Sequence, residues 1–176
     1  RTAHIAVLVV SDRASRGEYE DKGGPAAEAW LRAALASAAR ITRTVVPDGR
    51  ETVAAALRDL CDGQGADLVL VTGGTGPAPR DQTPEALDDV IEKRLPGFGE
   101  AMRLASLSEV PTAILSRQVA VIRESADHAA LIMNLPAYRK LSEAQRTFLA
   151  RLGCDTLQGY LYSKPLSPEA FKNILI

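Results

Sequence analysis

The stretch Ala66-Asp67-Leu68-Val69-Leu70-Val71-Thr72-Gly73-Gly74-Thr75-Gly76-Pro77 decides the fold of this chain. Its first half is an apolar run of strand length, and its second half carries almost no large side chains. This pattern predicts a buried β-strand that ends in a glycine-rich loop. Successive N–H groups of such a loop can converge on a phosphate because no Cβ stands in the way. The loop therefore predicts a site for a large polar ligand.

The glycine-rich loop matches neither of the two regular phosphate-binding motifs. It lacks the Gly-Lys-Ser/Thr ending of a P-loop and the third glycine of the dinucleotide-binding fingerprint. A tight strand-to-helix connection that binds nothing is the alternative interpretation. Three glycines and two threonines are more than an ordinary connection of about 2–6 residues needs, which favours a ligand.

Elsewhere in the chain, apolar runs of strand length alternate with helical patterns, which predicts an α/β fold with βαβ units and a mainly parallel sheet. The predicted strands cover residues 5–10, 41–46, 66–71, 113–115, 119–122 and 130–133. One predicted helix begins at Pro25, and the others cover residues 52–61, 83–93 and 99–107. Polar residues that follow parallel strands share one edge of the sheet, where ligands of open α/β sheets bind.

Length and composition favour one domain over residues 1–176, because a hydrophobic content of 46% is enough for a substantial core. A formal net charge of −1 argues against nucleic acid as a partner, since sequence-independent binding needs a basic face. No stretch approaches the about 20 apolar residues that span a bilayer, so no membrane association is expected. Cys61 and Cys154 form no Cys-x-x-Cys pair, which favours the reducing cytoplasm.

Seven short motifs, in order along residues 5–136, carry a family resemblance. They are Val9-Val10-Ser11-Asp12-Arg13-Ala14-Ser15, Asp21-Lys22-Gly23, Pro47-Asp48, Thr72-Gly73-Gly74-Thr75-Gly76-Pro77 with Arg80-Asp81 and Thr83-Pro84, Pro96-Gly97-Phe98-Gly99-Glu100, Leu115-Ser116-Arg117 and Asn134-Leu135-Pro136. Together they resemble the molybdopterin adenylyltransferases, the MogA-like proteins of the MoaB/MogA family of molybdenum cofactor biosynthesis.

The resemblance implies a three-layer α/β/α fold and a homotrimer. It also implies an enzyme that uses ATP and a divalent ion, normally Mg²⁺, to transfer AMP to the terminal phosphate of molybdopterin, with release of pyrophosphate. The product is the substrate for molybdate insertion, so a molybdate-insertion enzyme is the expected downstream partner. Attack of one phosphate on another brings two anions together, so catalysis must consist largely of charge neutralisation and alignment.

Two aspartates are the expected catalytic and metal-binding residues. Asp81 lies just beyond the glycine-rich loop, and Asp48 follows another predicted strand on the same edge. Two carboxylates beside a polyphosphate would repel it, so we expect them to hold Mg²⁺ directly or through water. From the residues alone, Asp81 has the alternative of a helix N-terminal acid, and Asp48 that of a turn residue. The matching family positions favour the catalytic interpretation.

The resemblance also supplies expected substrate contacts, in addition to the two aspartates. These are Ser11, Asp12, Thr72, Gly73, Gly74, Thr75, Gly76, Arg80, Ser116, Asn134 and Pro136. Ser11 and Asp12 have the alternative of capping a helix or loop. Ser116 and Asn134 offer neutral donors for the amide-like edge of the pterin, or for local backbone.

Three arginines adjoin the predicted site: Arg13, Arg80 and Arg117. A planar guanidinium pairs well with phosphate, although a solvated surface charge is the usual role of arginine. Arg80 is the one that we expect to contact substrate.

The C-terminal segment, residues 137–176, departs from the family pattern, with Ala137 where the family has glycine. Residues of about 141–171 instead resemble the C-terminal end of EAL-type cyclic-di-GMP phosphodiesterase domains. Phosphodiesterase activity is not expected, because such a site draws its acidic metal ligands from strands far upstream. The segment predicts a helix over residues 142–152 and a strand over residues 156–162. A catalytically weak molybdopterin-binding or scaffold relative with a hybrid tail is the alternative function.

Overall fold

The computed structural model describes residues 1–107, 111–125 and 128–135. Within them, the strands are β1 (Ala3–Val10), β2 (Ala39–Val46), β3 (Leu68–Thr72), β4 (Lys93–Arg94), β5 (Ala120–Glu124) and β6 (Ala129–Leu135). The α-helices are α1 (Asp12–Ser15), α2 (Gly23–Ala34), α3 (Arg50–Arg58), α4 (Thr83–Asp88) and α5 (Pro96–Leu107). A π-helical turn (Asp59–Gly63) extends α3, and a 3₁₀ turn (Pro111–Leu115) follows α5.

The strands form one sheet in the order β2-β1-β3-β6-β5-β4. Strands β2, β1, β3 and β6 run parallel, whereas β5 runs antiparallel to both β6 and β4. The prediction of a mainly parallel sheet is confirmed. The carboxyl ends of the four parallel strands meet at one edge, which we call the carboxyl edge, and the opposite edge is the amino edge.

Two hydrophobic cores, one on each face of the sheet, give the protein its three layers. Leu8 of β1 packs with Leu57 of α3 and with α4 on one face, because successive side chains of a strand point to opposite faces. Val7 of β1 packs with Leu31 of α2 and Met102 of α5 on the other. Burial on both faces explains why β1, β3 and β6 read as near-continuous apolar runs, whereas the outermost strand β2 has no fully buried residue. The three-layer α/β/α fold is thereby confirmed.

The predicted strand over residues 113–115 is wrong, because this segment belongs to the 3₁₀ turn. Only Ala113 of the three residues is buried, and Ile114 and Leu115 are 69% and 57% exposed. The N–H of Ser116 donates to Ala113 O at 3.0 Å, so the backbone bonds locally. An apolar run of three residues is too short to identify a strand when local turn bonds compete.

The predicted helix over residues 83–93 is too long, because α4 ends at Asp88. Two acidic residues, Asp88 and Asp89, stand at its C-terminus, where the helix dipole disfavours negative charge. The chain then joins the sheet: the N–H of Glu92 donates to Ile122 O at 3.0 Å. Pairing with β5 therefore determines the conformation of this segment.

The predicted helix over residues 142–152, the predicted strand over residues 156–162 and Ala137 lie outside the described residues, as does the whole EAL-like segment. No helix in the described ranges is long and apolar enough to cross a membrane.

Candidate active site

The ends of β1 and β2 place two aspartates side by side at the carboxyl edge. The backbone N–H of Asp12 donates to Oδ2 of Asp48 at 2.9 Å, and the N–H of Asp48 donates to Oδ1 of Asp12 at 3.0 Å. Each carboxylate keeps its second oxygen outside this pair of bonds. Ser11 caps α1, since its Oγ accepts the N–H of Ala14 at 3.3 Å. The capping alternative for Ser11 is therefore observed, and α1 itself is a helix that the sequence analysis did not predict.

The glycine-rich loop folds tightly against the protein. Gly73 and Gly74 have φ values of +108° and +63°, which favour glycine. A Cβ on Gly73 would lie 2.2 Å from the backbone oxygen of Val10, and a Cβ on Gly74 would lie 2.1 Å from Oγ1 of Thr83. The sequence predicts that these glycines allow a ligand to approach the backbone. In the structure, the atoms that exclude a Cβ belong to β1 and α4.

Donors from the protein hold the backbone carbonyl oxygens of residues 73–76. The pairs are Asn134 Nδ2 to Gly73 O (3.3 Å), Thr83 N to Gly74 O (3.2 Å), Arg117 N to Thr75 O (2.9 Å) and Arg117 Nε to Gly76 O (3.1 Å). These donors come from β6, from the start of α4 and from the segment before β5. The loop is therefore fixed from three sides.

The same carbonyl contacts set the direction of the loop N–H groups. In a trans peptide the C=O and the following N–H point in opposite directions, and no cis peptide occurs in the described residues. The N–H groups of Gly74, Thr75 and Gly76 thus point away from the donors that hold the preceding carbonyls. Within the described part of the chain, none of these N–H groups donates a hydrogen bond. Three successive donors are left for an anion.

Asp81 lies against this loop. Its Oδ2 accepts the N–H of Ala78 at 3.3 Å and lies 2.5 Å from the place that a Cβ on Gly76 would take. No side chain caps α4 by a hydrogen bond, so Asp81 is not a helix cap in that sense. Its Oδ1 stays outside the turn contact, beside the loop.

Arg117 connects the loop to Asp81 and α4. Besides Gly76 O, its guanidinium donates to the backbone oxygen of Asp81 and to the carboxylate of Glu85. Burial acts to raise the pKa of Glu85, but the hydrogen bond from Arg117 and the charges of Arg117 and Arg50 outweigh it and lower that pKa. Arg117 is therefore engaged with protein groups and is not a solvated surface charge.

A further contact joins the Asp48 loop to the Asp81 loop. The backbone N–H of Arg50, two residues after Asp48, donates to Oε1 of Gln82, the residue after Asp81, at 3.2 Å. The two predicted catalytic aspartates thus stand on loops that touch. They are not hydrogen-bonded to each other.

Buried polar atoms without a hydrogen-bond partner lie on the segments that hold this loop and on the residues next to them. Within the described residues they are Thr83 Oγ1, Glu85 Oε2, Ser116 Oγ, Gln118 Nε2, Gln118 Oε1 and Asn134 Oδ1. Leaving such an atom unpaired costs about 1–3 kcal/mol, and buried polar groups are paired in most proteins. Departures from this rule concentrate at functional sites.

The carboxyl edge brings together most of the predicted site residues. Those found there are Ser11, Asp12, Asp48, Thr72, Gly73, Gly74, Thr75, Gly76, Asp81, Ser116 and Asn134. Arg80 is exposed and makes no hydrogen bond or ion pair within the described ranges. Pro136 lies outside the described residues.

Sequence reasoning missed two residues that hold the loop. Thr83 appeared only as a helix start, and Arg117 only as a charge near the site. The Thr-Pro start of α4 was a signal that a backbone N–H would be available next to the loop. No sequence signal indicated that the guanidinium of Arg117 would bind backbone oxygens.

The donor set suits a divalent cation that is shared with a substrate. No group of three or more His, Cys, Asp or Glu side chains that could hold a metal occurs among the described residues. Mg²⁺ is usually bound through one or two carboxylates together with substrate phosphates and water. The unbonded carboxylate oxygens of Asp48 and Asp81, on adjoining loops, fit this mode of binding.

Known proteins resemble this chain in sequence and in structure. The family described as "Probable molybdopterin binding domain" matches residues 6–152. The molybdopterin adenylyltransferase of Haemophilus influenzae is 50% identical over 136 residues, which cover 77% of this chain and 67% of the relative. The molybdopterin adenylyltransferase of Helicobacter pylori strain 26695 is 50% identical over 140 residues, 80% of this chain and 77% of the relative.

A solved structure agrees with the sequence relatives. The molybdopterin biosynthesis enzyme MoaB of Thermus thermophilus superposes with a TM-score of 0.72 at 35% identity. The match covers 94% of this chain and 100% of that protein. Sequence and fold therefore point to the same group of proteins.

Proposed function

Because this chain belongs to the family of probable molybdopterin binding domains, we propose that it transfers AMP from ATP to the terminal phosphate of molybdopterin and releases pyrophosphate. It is a nucleotidyltransferase with a role in molybdenum cofactor biosynthesis, and its relatives are molybdopterin adenylyltransferases by name. The observation that carries the proposal is the glycine-rich loop. Its carbonyl oxygens are held by the protein, and its N–H groups at residues 74–76 are directed away from those contacts.

The reaction joins two anions, so the site must lower their repulsion and align them. The terminal phosphate oxygen of molybdopterin attacks the α-phosphorus of ATP, the bond from that phosphorus to the bridging oxygen breaks, and pyrophosphate leaves with the bonding electron pair. N–H groups that are fixed before the substrate arrives stabilise phosphate charge without reorganisation. Gly74, Thr75 and Gly76 supply such groups. Their rigid attachment to β6, α4 and Arg117 keeps them aligned.

Asp48 and Asp81 would hold Mg²⁺ through their unbonded carboxylate oxygens, and the cation would neutralise phosphate charge. The N–H of Asp12 orients the carboxylate of Asp48, and the N–H of Ala78 orients that of Asp81. Both carboxylates are therefore pre-oriented by backbone donors. This arrangement supports their assignment as the residues on which the reaction depends.

The other predicted contacts are assigned to the substrates by position. Ser11, Asp12 and Thr72 border the ends of β1 and β3, and Arg80 is exposed and available for a phosphate. Pro136 is assigned on the family position alone.

Ser116 and Asn134 are assigned to the pterin edge. Oγ of Ser116 and Oδ1 of Asn134 are buried and unpaired, so each has unused hydrogen-bonding capacity for the ligand. Asn134 also acts through the loop, because its Nδ2 holds Gly73 O.

The assembly that we propose is a homotrimer of single domains over residues 1–176. Exposed apolar side chains on α5 and the 3₁₀ turn support contact between copies: Leu104, Ile114 and Leu115 are 69%, 69% and 57% exposed. The downstream partner is a molybdate-insertion enzyme, which takes the adenylylated product. The location is the cytoplasm, in keeping with the free thiol of Cys61.

The test is pyrophosphate release from ATP, Mg²⁺ and molybdopterin by the full chain. The proposal predicts release that needs all three reactants and that falls by about 10²–10³-fold in Asp81→Asn, as expected for loss of a charge-stabilising group. Asp62→Asn is the matched control, because Asp62 pairs with Arg123 at the amino edge. Binding of both substrates without pyrophosphate release would contradict the proposal and support the scaffold alternative.

A further inference from the structure

We infer that Arg117 is a positioning residue that fixes Asp81 relative to the glycine-rich loop, and that it promotes AMP transfer without contacting substrate. The inference rests on the proposed function for the identity of the ligand. The evidence for the inference is the set of hydrogen bonds that the Arg117 guanidinium makes.

Each nitrogen of the Arg117 guanidinium binds a different part of the site. Nε donates to Gly76 O at 3.1 Å, Nη2 donates to Asp81 O, and Nη1 pairs with Glu85 in the first turn of α4. The guanidinium is planar, so its donors have fixed relative directions. The last loop residue, the carboxylate-bearing residue and α4 therefore cannot shift independently of one another.

We call this set of contacts the Arg117 clamp. It acts on both functional parts of the site, the loop N–H groups and the carboxylate of Asp81. The backbone N–H of Arg117 holds Thr75 O and so directs the N–H of Gly76, whereas the side chain holds Gly76 O and Asp81 O. The anion donors and the metal-binding carboxylate are thereby joined by one residue. A displacement of about 1 Å in such a constellation can cost about 10²-fold in rate.

The same contacts argue against direct phosphate binding by Arg117. Its positive charge is paired with Glu85, and all three guanidinium nitrogens have acceptors in the protein. These contacts use three of the five guanidinium N–H groups, and a phosphate would have to compete with Glu85 for the positive charge.

The chain contains a matched arginine far from the site. Arg123 of β5 binds the carboxylate of Asp62 and the backbone oxygen of Val90, and its Nη1 also lies 3.9 Å from the carboxylate of Glu92. This is the same kind of contact as that of Arg117, but Arg123 holds no loop of the carboxyl edge. Arg123→Ala therefore controls for the loss of a structural arginine.

The first experiment measures the mobility of the loop by NMR relaxation of ¹⁵N-labelled full chain without substrates. In wild type, the amide order parameters at Thr75 and Gly76 should be near those of rigid backbone, about 0.85. In Arg117→Ala they should fall below about 0.6, and in Arg123→Ala they should stay unchanged. Unchanged values in Arg117→Ala would overturn the inference, whatever reaction the protein catalyses.

The second experiment measures kcat and KM for pyrophosphate release in the same variants. We expect kcat/KM to fall by about 10²-fold in Arg117→Ala and by less than about threefold in Arg123→Ala. Added guanidinium ion should restore part of the activity of Arg117→Ala and none in Arg123→Ala. Arg117→Lys should stay impaired, because an ammonium group cannot reproduce the planar fork.

The two experiments separate the inference from the proposed function. A mobile loop in Arg117→Ala, together with a wild type that releases no pyrophosphate, would support the clamp and overturn the AMP-transfer proposal. Wild-type pyrophosphate release with equal losses of activity in Arg117→Ala and Arg123→Ala, and no rescue by guanidinium, would overturn the clamp and leave the AMP-transfer proposal standing.

Discussion

Both edges of the sheet carry polar and charged side chains, but the two edges use them differently. At the amino edge, described polar groups bind one another. At the carboxyl edge, buried polar atoms and three backbone N–H groups have no partner in the described residues. The difference supports a candidate site at the carboxyl edge, because unmet hydrogen-bonding capacity favours a ligand more than polarity alone does.

His4 illustrates the amino edge. It is 3% exposed, its Nε2 lies 2.8 Å from Oγ1 of Thr42, and its Nδ1 lies 3.2 Å from Gln64 O. Its backbone N–H donates to Oδ2 of Asp67 at 2.8 Å. A polar network whose members are paired stabilises the fold and leaves nothing for a ligand. We therefore assign the polar groups of the amino edge a structural role, the stabilisation of the fold.

The sharpest test of the comparison exchanges one aspartate at each edge for asparagine. Asp48→Asn should lower kcat by about 10²–10³-fold, because it removes a charge that the reaction needs, and should leave the fold intact. Asp67→Asn should lower the free energy of unfolding by about 1–3 kcal/mol, because it weakens buried contacts with His4. Steady-state pyrophosphate release and urea unfolding measure the two effects.

The comparison between the two edges would fail if both aspartate variants changed only kcat, or both changed only the free energy of unfolding. Equal losses of stability with unchanged kcat would make Asp48 a turn residue, the alternative left open by its Pro-Asp-Gly context. A loss of activity in Asp67→Asn at full stability would give the amino edge a catalytic role.

Two glycines with similar φ angles test whether close packing against the loop destabilises an alanine substitution in addition to the cost of the positive φ. Gly74 and Gly65 have φ of +63° and +66°, but a Cβ on Gly65 would meet only Arg1, at 3.9 Å. Gly65→Ala should cost about 1–2 kcal/mol for the left-handed conformation. Gly74→Ala should cost about 1–3 kcal/mol more, because its Cβ collides with Thr83. Urea unfolding of both variants measures the difference, and equal costs would contradict the tight contact.

The smallest expected effect concerns pH at the amino edge. Burial, followed by the positive charge of Arg40, lowers the pKa of His4 below its ordinary value of 6.5. As the pH falls, the unfolded chain therefore takes up a proton at His4 before the folded chain does. The stability that neutral His4 contributes is full above pH 6.5 and is lost as the pH falls through the lowered pKa.

Replacing His4 by Gln should flatten this pH dependence. Unfolding free energies at about pH 7.5 and about pH 5.5 measure it, since histidine titrates in this range. The effect should be of the order of one hydrogen bond, about 0.5–1.5 kcal/mol. An identical loss of stability with falling pH in wild type and His4→Gln would show that His4 does not contribute.

The sequence predicted the inner strands β1, β3 and β6 well, because burial on both faces makes them nearly continuous apolar runs. It predicted the short elements poorly. Residues 113–115 form a 3₁₀ turn and residues 93–94 a strand, since turn bonds and pairing with β5 outweigh local propensity. Such outcomes depend on tertiary contacts that a single sequence does not contain.

The candidate site was predictable in its location but not in its construction. Strand ends and the glycine run placed Asp48, Asp81 and the loop on one edge. The sequence could not show why residues 73 and 74 must be glycine, because the atoms that exclude a Cβ come from β1 and α4. The contacts of Arg117 with the loop and Asp81 could not be predicted either, since they join residues about forty positions apart in the sequence.

The most direct test of the account is an NMR titration of ¹⁵N-labelled full chain with ATP and Mg²⁺. If the N–H groups of Gly74, Thr75 and Gly76 receive the phosphates, the amide signals of these three residues should shift first and most. Signals at the amino edge, such as those of Gly65 and His4, should not move. Saturable shifts confined to the amino edge, with the loop signals unchanged, would contradict it.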